Sequence, residues 1–405
     1  MRQETRQFLG PIESARGIAA FSVAFGHALG SYITSASDVP VYDQTSFAAM
    51  AERFVWSLID AQAAVVFFFV MSGMVLGLSL DRSEDRLTCA SYGRFLWRRV
   101  FRIYPAHLMV MLPIMALLAV VAYRPLAALD GAARPDVTLF INTTANRVLD
   151  WKQVAANTLL LSYDINSVTW SLQVEMAAAF LLPLLHVAAR RRQAWLDIAV
   201  LSGFGVVSLW CVRHGLTRPS FFVVWLAAFH AGLLVSTFGR NWATRLIRLF
   251  GSADFAIIAV YLAMMLPGGL VTGRPLSLVV LEIGGCFAML SLLVHRPDGK
   301  IAYALENRAL RWNGKVSYSF YLWHLPVLVL LAQAAMTMFP HSPFYKGIFV
   351  AALAVSIPAA WLMAWASYTW IECPGRALSQ RTIALVPFLR QRAPAGRSIA
   401  AAPAL

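Results

Sequence analysis

The chain has 405 residues, of which 59% are hydrophobic and only 13% are charged, and its formal net charge is +14. A soluble domain carries roughly a quarter of its residues as charges, and a chain of this length would still need a large wet surface. With a mean hydropathy of +0.63, the composition excludes a soluble globular domain and makes lipid the natural solvent. The basic excess is mostly arginine in short loops, which follows the positive-inside rule and not nucleic-acid binding.

In chain order, the opening stretch up to Gly17 is polar and too charged for a signal-peptide core, so the first helix is expected to stay in the mature protein. Runs apolar enough to span a bilayer fall at about 17–35, 61–80, 103–122, 169–189, 195–212, 221–238, 253–271, 277–294, 317–337 and 347–370. With a cytoplasmic N-terminus, 25 of the 34 Lys and Arg fall in the inside segments and 9 in the outside ones. A miscounted helix would destroy that asymmetry. The expected fold is therefore all-α, a polytopic membrane bundle of about ten transmembrane helices with N- and C-termini cytoplasmic. One transmembrane domain should cover residues 1–377. Residues 378–405, rich in Ala, Arg and Pro, should form a disordered cytoplasmic tail. The longest outside loop, 123–168, has room for a short re-entrant or amphipathic piece.

Cys89, Cys211, Cys286 and Cys373 lie in no CxxC or Cys/His cluster, which argues for neither a disulfide framework nor a metal site.

Titratable groups at bilayer depth are costly and call for a functional hypothesis. His27 lies eleven residues after Arg16, about 16 Å further along a helix, near the middle of a hydrocarbon core of about 30 Å. It is either a proton-accepting imidazole or a core histidine bonded to a carbonyl. Glu175 either orients an imidazole or binds an acceptor hydroxyl, or else it ties two helices together. Arg99 and Arg102, at i and i+3 with Arg98 beside them, form guanidinium forks able to hold a diphosphate. Arginines at a cytoplasmic helix end are also ordinary topology determinants. His324 stands in the cytoplasmic half of the ninth span, flanked by Tyr318 and Tyr321. Glu282 is a further buried acid with no motif around it. His107, His186 and His230 read as structural.

Four stretches in order carry a resemblance. They are Ile12-Glu13-Ser14-Ala15-Arg16-Gly17 followed by His27; Val66-Phe67-Phe68-Phe69-Val70-Met71-Ser72-Gly73; Arg99-Val100-Phe101-Arg102-Ile103-Tyr104-Pro105; and Ser317-Tyr318-Ser319-Phe320-Tyr321-Leu322-Trp323-His324. Trp170-Ser171-Leu172 with Glu175, and Ile371-Glu372-Cys373-Pro374, also fit. Over about residues 10–377 the chain resembles the acyltransferase-3 family of bacterial membrane acyltransferases. Glu13 stands where aspartate is usual, which keeps the carboxylate.

The resemblance implies an O-acyltransferase of the bacterial inner (plasma) membrane. It would take an acyl group, most often acetyl, from cytoplasmic acyl-CoA and pass it to a hydroxyl of a glycan or another acceptor. It further implies that His27 and Arg16 are essential and that Arg99 and Arg102 serve the acyl-CoA. Arg98 and His324 are assigned to the same donor end, and Glu175 to the catalytic group. The competing class is a proton-coupled transporter or flippase, since intramembrane His and Glu suit a proton relay. Against it, the sequence has no inverted repeat and no matched pair of broken helices.

Overall fold

A computed structural model describes residues 2–30, 46–82, 88–121, 151–270, 275–296, 298–339 and 344–389. Among the described residues there is no strand, and seven helices are long and apolar enough to cross a membrane. In chain order the helices are α1 (Arg2–Gly30), α2 (Phe47–Leu58), α3 (Ala61–Arg82), α4 (Cys89–Val121), α5 (Trp151–Thr158), α6 (Trp170–Ala189), α7 (Ala194–Arg213) and α8 (Thr217–Phe250). They continue as α9 (Ala253–Met265), α10 (Pro267–Leu270), α11 (Leu276–His295), α12 (Lys300–Leu305), α13 (Arg308–Met338), α14 (Tyr345–Ser367) and α15 (Cys373–Leu385).

The seven spans lie on α3, α6, α7, α8, α11, α13 and α14. The other three expected runs fall on α1, α4 and α9. Of these, α9 has only 13 residues, a rise of about 20 Å against a hydrocarbon core of about 30 Å. Residues 31–35 of the first run and most of the 123–168 loop, up to 150, lie outside the described residues. What is described of that loop includes α5. Its Asn157 is buried, and the Asn157 side chain accepts from the Ile165 backbone N–H at 3.0 Å.

Several of the expected boundaries move, two of them at helices that reach the site. α13 starts nine residues before the expected span, at Arg308. The Asn307 side chain caps it by accepting from the Ala309 N–H at 2.9 Å, which satisfies an otherwise orphaned helix-start donor. At the other end, the segment expected to become tail at 378 is helical to Leu385, with Ser379 and Ile383 buried. α15 is joined to α14 through a single π turn, Tyr368–Glu372, and it packs on α4. Residues 390–405 lie outside the described residues.

The bundle is organised around α1, α3, α8 and α13, with α14 packed on α13 and α11 on α8. α7 is peripheral, with 17% of its span buried. Glycine sets two close helix approaches. A Cβ on Gly73 of α3 would strike the Phe229 backbone of α8, and one on Gly232 of α8 would strike the Val70 carbonyl of α3. Likewise a Cβ on Gly17 of α1 would lie 2.8 Å from the Gly314 nitrogen of α13, and one on Gly314 would strike the Glu13 carbonyl. Small residues at such crossings are the usual means of packing helices in lipid.

The second crossing fixes a register. Arg16 of α1 meets Gly314 of α13, and further along both helices His27 meets His324. The two helices therefore run parallel, in step over about three turns. Gly314→Val should push α1 and α13 apart at an overpacking cost of about 1–3 kcal/mol. The expected result is a lower melting temperature of the detergent-purified protein; an unchanged melt would show that the crossing does not need a glycine there.

Candidate active site

Inside the bundle α1, α3, α4, α6 and α13 enclose a cavity of about 340 Å³. Its charged end is formed by Arg16, Arg99 and Arg102 together with Glu13 and Glu175. Arg99 and Arg102 stand one turn apart on α4, as their i, i+3 spacing requires. Each is tied to its own carboxylate. Arg99 Nη2 lies 2.9 Å from Glu175 Oε1, and Arg102 Nη1 lies 2.9 Å from Glu372 Oε1. The Arg102 guanidinium also sits 5.5 Å from the centroid of the Tyr318 ring, and the Tyr318 hydroxyl donates to the Ile103 carbonyl at 2.9 Å.

Glu372 is the anchor of this end. It is only 1% exposed, accepts from the Ser319 hydroxyl at 3.0 Å, and is paired with Arg376 as well as Arg102. The π turn ends on this residue; such a turn often marks a functional position in a helix.

Arg16 is held differently. Its Nε donates to the Gly314 carbonyl at 2.9 Å, and Nη2 bonds the same oxygen. Its charge is therefore anchored on a carbonyl, whereas those of its two neighbours are offset by carboxylates.

The apolar end of the cavity is formed by Phe68, Phe69 and Tyr321, with Ser171 among them. The Tyr321 hydroxyl lies 3.1 Å from the Val168 carbonyl and 3.0 Å from Ser171 Oγ. Tyr321 has two faces of contact, for its ring also packs against His324 with centroids 5.6 Å apart.

Behind that ring stand the two histidines. His27 Nδ1 and His324 Nε2 are 2.8 Å apart, and the ring planes are within 7° of parallel. His324 is buried, and its Nδ1 lies 2.6 Å from the Tyr321 carbonyl. This contact orders the protons. A carbonyl only accepts, so His324 Nδ1 carries hydrogen; neutral His324 then accepts at Nε2, and His27 Nδ1 must donate to it. In neutral His27 the lone pair is left on Nε2, the form a general base needs.

The structure thus reassigns several residues. Of the readings given for Glu175, the tie between two helices is the one seen, in its pairing with Arg99; the group bonded to His27 is His324. His324, expected at the donor end, is bonded to His27 and does not line the cavity. Arg98 points away from the cavity and is exposed, because it lies one residue from Arg99 on the helix and so faces another direction. His27 itself stands one ring beyond the cavity wall instead of on it. Arg16, Arg99 and Arg102 do converge. Glu372 and Ser319 were missed as site residues. Their sequence signal was an acid at the end of the last apolar run, with Arg376 four residues further on.

Other His–Asp contacts lie away from this site. His230 Nε2 is 3.1 Å from Asp197 Oδ1, and His186 Nε2 is 3.2 Å from Asp81 Oδ1. They link α8 to α7 and α6 to α3, in keeping with a structural role.

Comparison with curated proteins and with solved structures gave no match. A family model described as an acyltransferase domain matches residues 11–365, most of the chain and all of the site except the Glu372 anchor with Arg376. Taken with the apolar helices, that match makes the protein a multi-pass membrane acyltransferase, and the chain belongs to the acyltransferase-3 family.

Proposed function

We propose that this acyltransferase takes its acyl group, acetyl in the simplest case, from acyl-CoA on the cytoplasmic side of a bacterial inner membrane. The acceptor is a hydroxyl of an extracytoplasmic or membrane-associated glycan. In this reading the chain crosses the membrane ten times, with α1, α4 and the α9–α10 segment added to the seven spans, and both ends are cytoplasmic. The observation that carries the proposal is the His27–His324 pair, 2.8 Å apart behind the Tyr321 ring that walls an arginine-lined cavity.

The residues present fit such a donor. Three guanidinium groups at one end of a narrow cavity suit phosphates, which cannot enter hydrocarbon, and the apolar walls suit the acyl and pantetheine part. Arg16, Arg99 and Arg102 line one cavity and meet the phosphates together. At the other end His27 Nε2 takes the acceptor's hydroxyl proton as that oxygen attacks the thioester carbonyl. The C–S bond then breaks, and the departing sulfur receives the proton from the imidazolium. Throughout, His324 holds the His27 ring and shares the transient positive charge through the Nδ1–Nε2 hydrogen bond. The path between the cavity and the imidazole passes the Tyr321 ring, so that ring must shift for each turnover.

Transfer can be measured with radiolabelled acetyl-CoA and membranes containing the full chain. His27→Ala should slow transfer by about 10²–10⁴-fold, the usual worth of a general base, with acetyl-CoA binding retained. A folded, inserted His27→Ala protein that keeps near wild-type transfer would end the base assignment. His324→Ala should lower kcat and leave the donor KM unchanged, and His324→Gln, whose amide oxygen can still accept from His27 Nδ1, should recover part of the loss. Equal loss in both variants would mean that His324 only packs.

Arg16→Ala should weaken acetyl-CoA binding by about tenfold or more, as expected for a lost charge-assisted hydrogen bond. Arg98→Ala should bind as the wild type does. Equal affinities for the Arg16→Ala and wild-type proteins would show that the phosphates are held elsewhere.

A further inference from the structure

A second hollow lies on the opposite face of the first two turns of α6. Ser171, Leu172 and Glu175 face the arginine-lined cavity, whereas Trp170, Gln173 and Val174 face an open cleft of about 780 Å³. The remainder of the cleft is contributed by α3, by α8 and by the segment before α6. The chemically distinctive side chains around it are Gln62, Tyr163, Trp170, Gln173, Arg218 and Trp225.

Phe69 separates the two hollows. It lines the inner cavity, and its ring centroid is 5.8 Å from those of both Trp170 and Trp225, which line the cleft. Gln62 brings the cleft edge to the helix that carries the base. Its neighbour Ala61 is packed against Gly26 of α1, where an added Cβ would lie 2.7 Å from the Ala61 Cβ, and His27 is the next residue.

From this arrangement we infer that the cleft between α6 and α8 is the acceptor site, and that it takes a sugar ring. The inference rests on the acyltransferase reading above and adds to it a place and a mode of recognition. A pyranose offers an apolar C–H face ringed by hydroxyls. Flat rings such as Trp170 and Tyr163 stack on the first, with buried Trp225 backing Trp170, and the two glutamines donate to and accept from the second. The Arg218 guanidinium, 5.8 Å from the Tyr163 ring centroid, adds further donors at the rim. A lipid chain would leave both amides without a purpose. Aromatic anchors of a membrane interface sit at headgroup level along the outside of the bundle, whereas these rings and amides share one concavity. Its size is within the range of small-molecule sites.

The test uses membranes of the native host, deleted for the gene and complemented with the full chain, supplied with radiolabelled acetyl-CoA. Label is counted separately in the polysaccharide and the solvent-extracted lipid fractions, and acetyl-CoA binding is measured on the same purified variants. Gln173 is half-buried and Arg218 exposed, so the double variant Gln173→Ala/Arg218→Ala should fold; Tyr163→Ala is the independent second variant. Each should cut label in polysaccharide by about tenfold or more, the effect of losing one or two buried hydrogen bonds or a ring contact, while acetyl-CoA binding changes less than about twofold.

Unchanged polysaccharide labelling in both variants would overturn the inference. So would label that resides in the lipid fraction and falls with the variants, since the cleft would then bind a headgroup. Loss of acetyl-CoA binding together with transfer would mean a collapsed fold and not an acceptor site, and would likewise count against it. If the wild type labels neither fraction, the acyltransferase donor reading itself has failed, and the sugar site fails with it.

Discussion

The contact between α1 and α13 at Gly17 and Gly314 is the constraint on which the site depends. Two helices can run parallel at this separation only where neither carries a Cβ into the other's backbone. That approach places the Gly314 carbonyl within reach of Arg16, and the register then carries His27 to His324 about three turns away. Charge at one end and base at the other are thus spaced by a helix rise and not by a flexible loop. The spacing of about 16 Å is therefore rigid.

The charged end shows a second constraint, that of ions buried in an apolar bundle. Removing a guanidinium from water costs several kcal/mol unless a partner replaces the lost solvation. Arg99 and Arg102 have theirs in Glu175 and Glu372. Glu372, almost fully buried, is in turn satisfied by Ser319 and two arginines. Such a network holds its arginines in place. Among the three cavity arginines Arg16 alone hydrogen-bonds a neutral carbonyl where the other two pair with carboxylates.

Much of this was legible in the sequence, and the failures have physical causes. Apolar runs fixed where the helices lie because the period and length of a span are local properties. That Arg99 and Arg102 stand one turn apart was legible for the same reason, whereas the arrival of Arg16 beside them was not. Partnerships were not. His27 and His324 are 297 positions apart, and nothing in either local pattern says which helices touch. The choice among the readings of Glu175 stayed open because depth along a helix was known while the direction it faces was not. The last helix was cut short because its polar stretch after Glu372 resembles a tail; only the packing of α15 on α4 shows why it stays helical. Arg98 was counted with its neighbours by adjacency, although adjacent helical residues face different ways.

In the proposed reading the two hollows hold substrates that belong to different sides of the membrane. An open passage between them would leak ions and admit water to a thioester. Here the separation is made of aromatic rings: Phe69 stands between the cavity and Trp170 and Trp225, and Tyr321 between the cavity and His324. Rings suit this place because each can turn about its side-chain torsions without breaking a backbone hydrogen bond, so a wall can yield to a substrate and close behind it while the helices stay in register. The hydroxyl of Tyr321 is tethered to Val168 and Ser171 at the start of α6, the element that both hollows share. The ring that closes the inner cavity is thus fastened to the same α6 turn that carries Trp170 and Gln173 into the outer cleft.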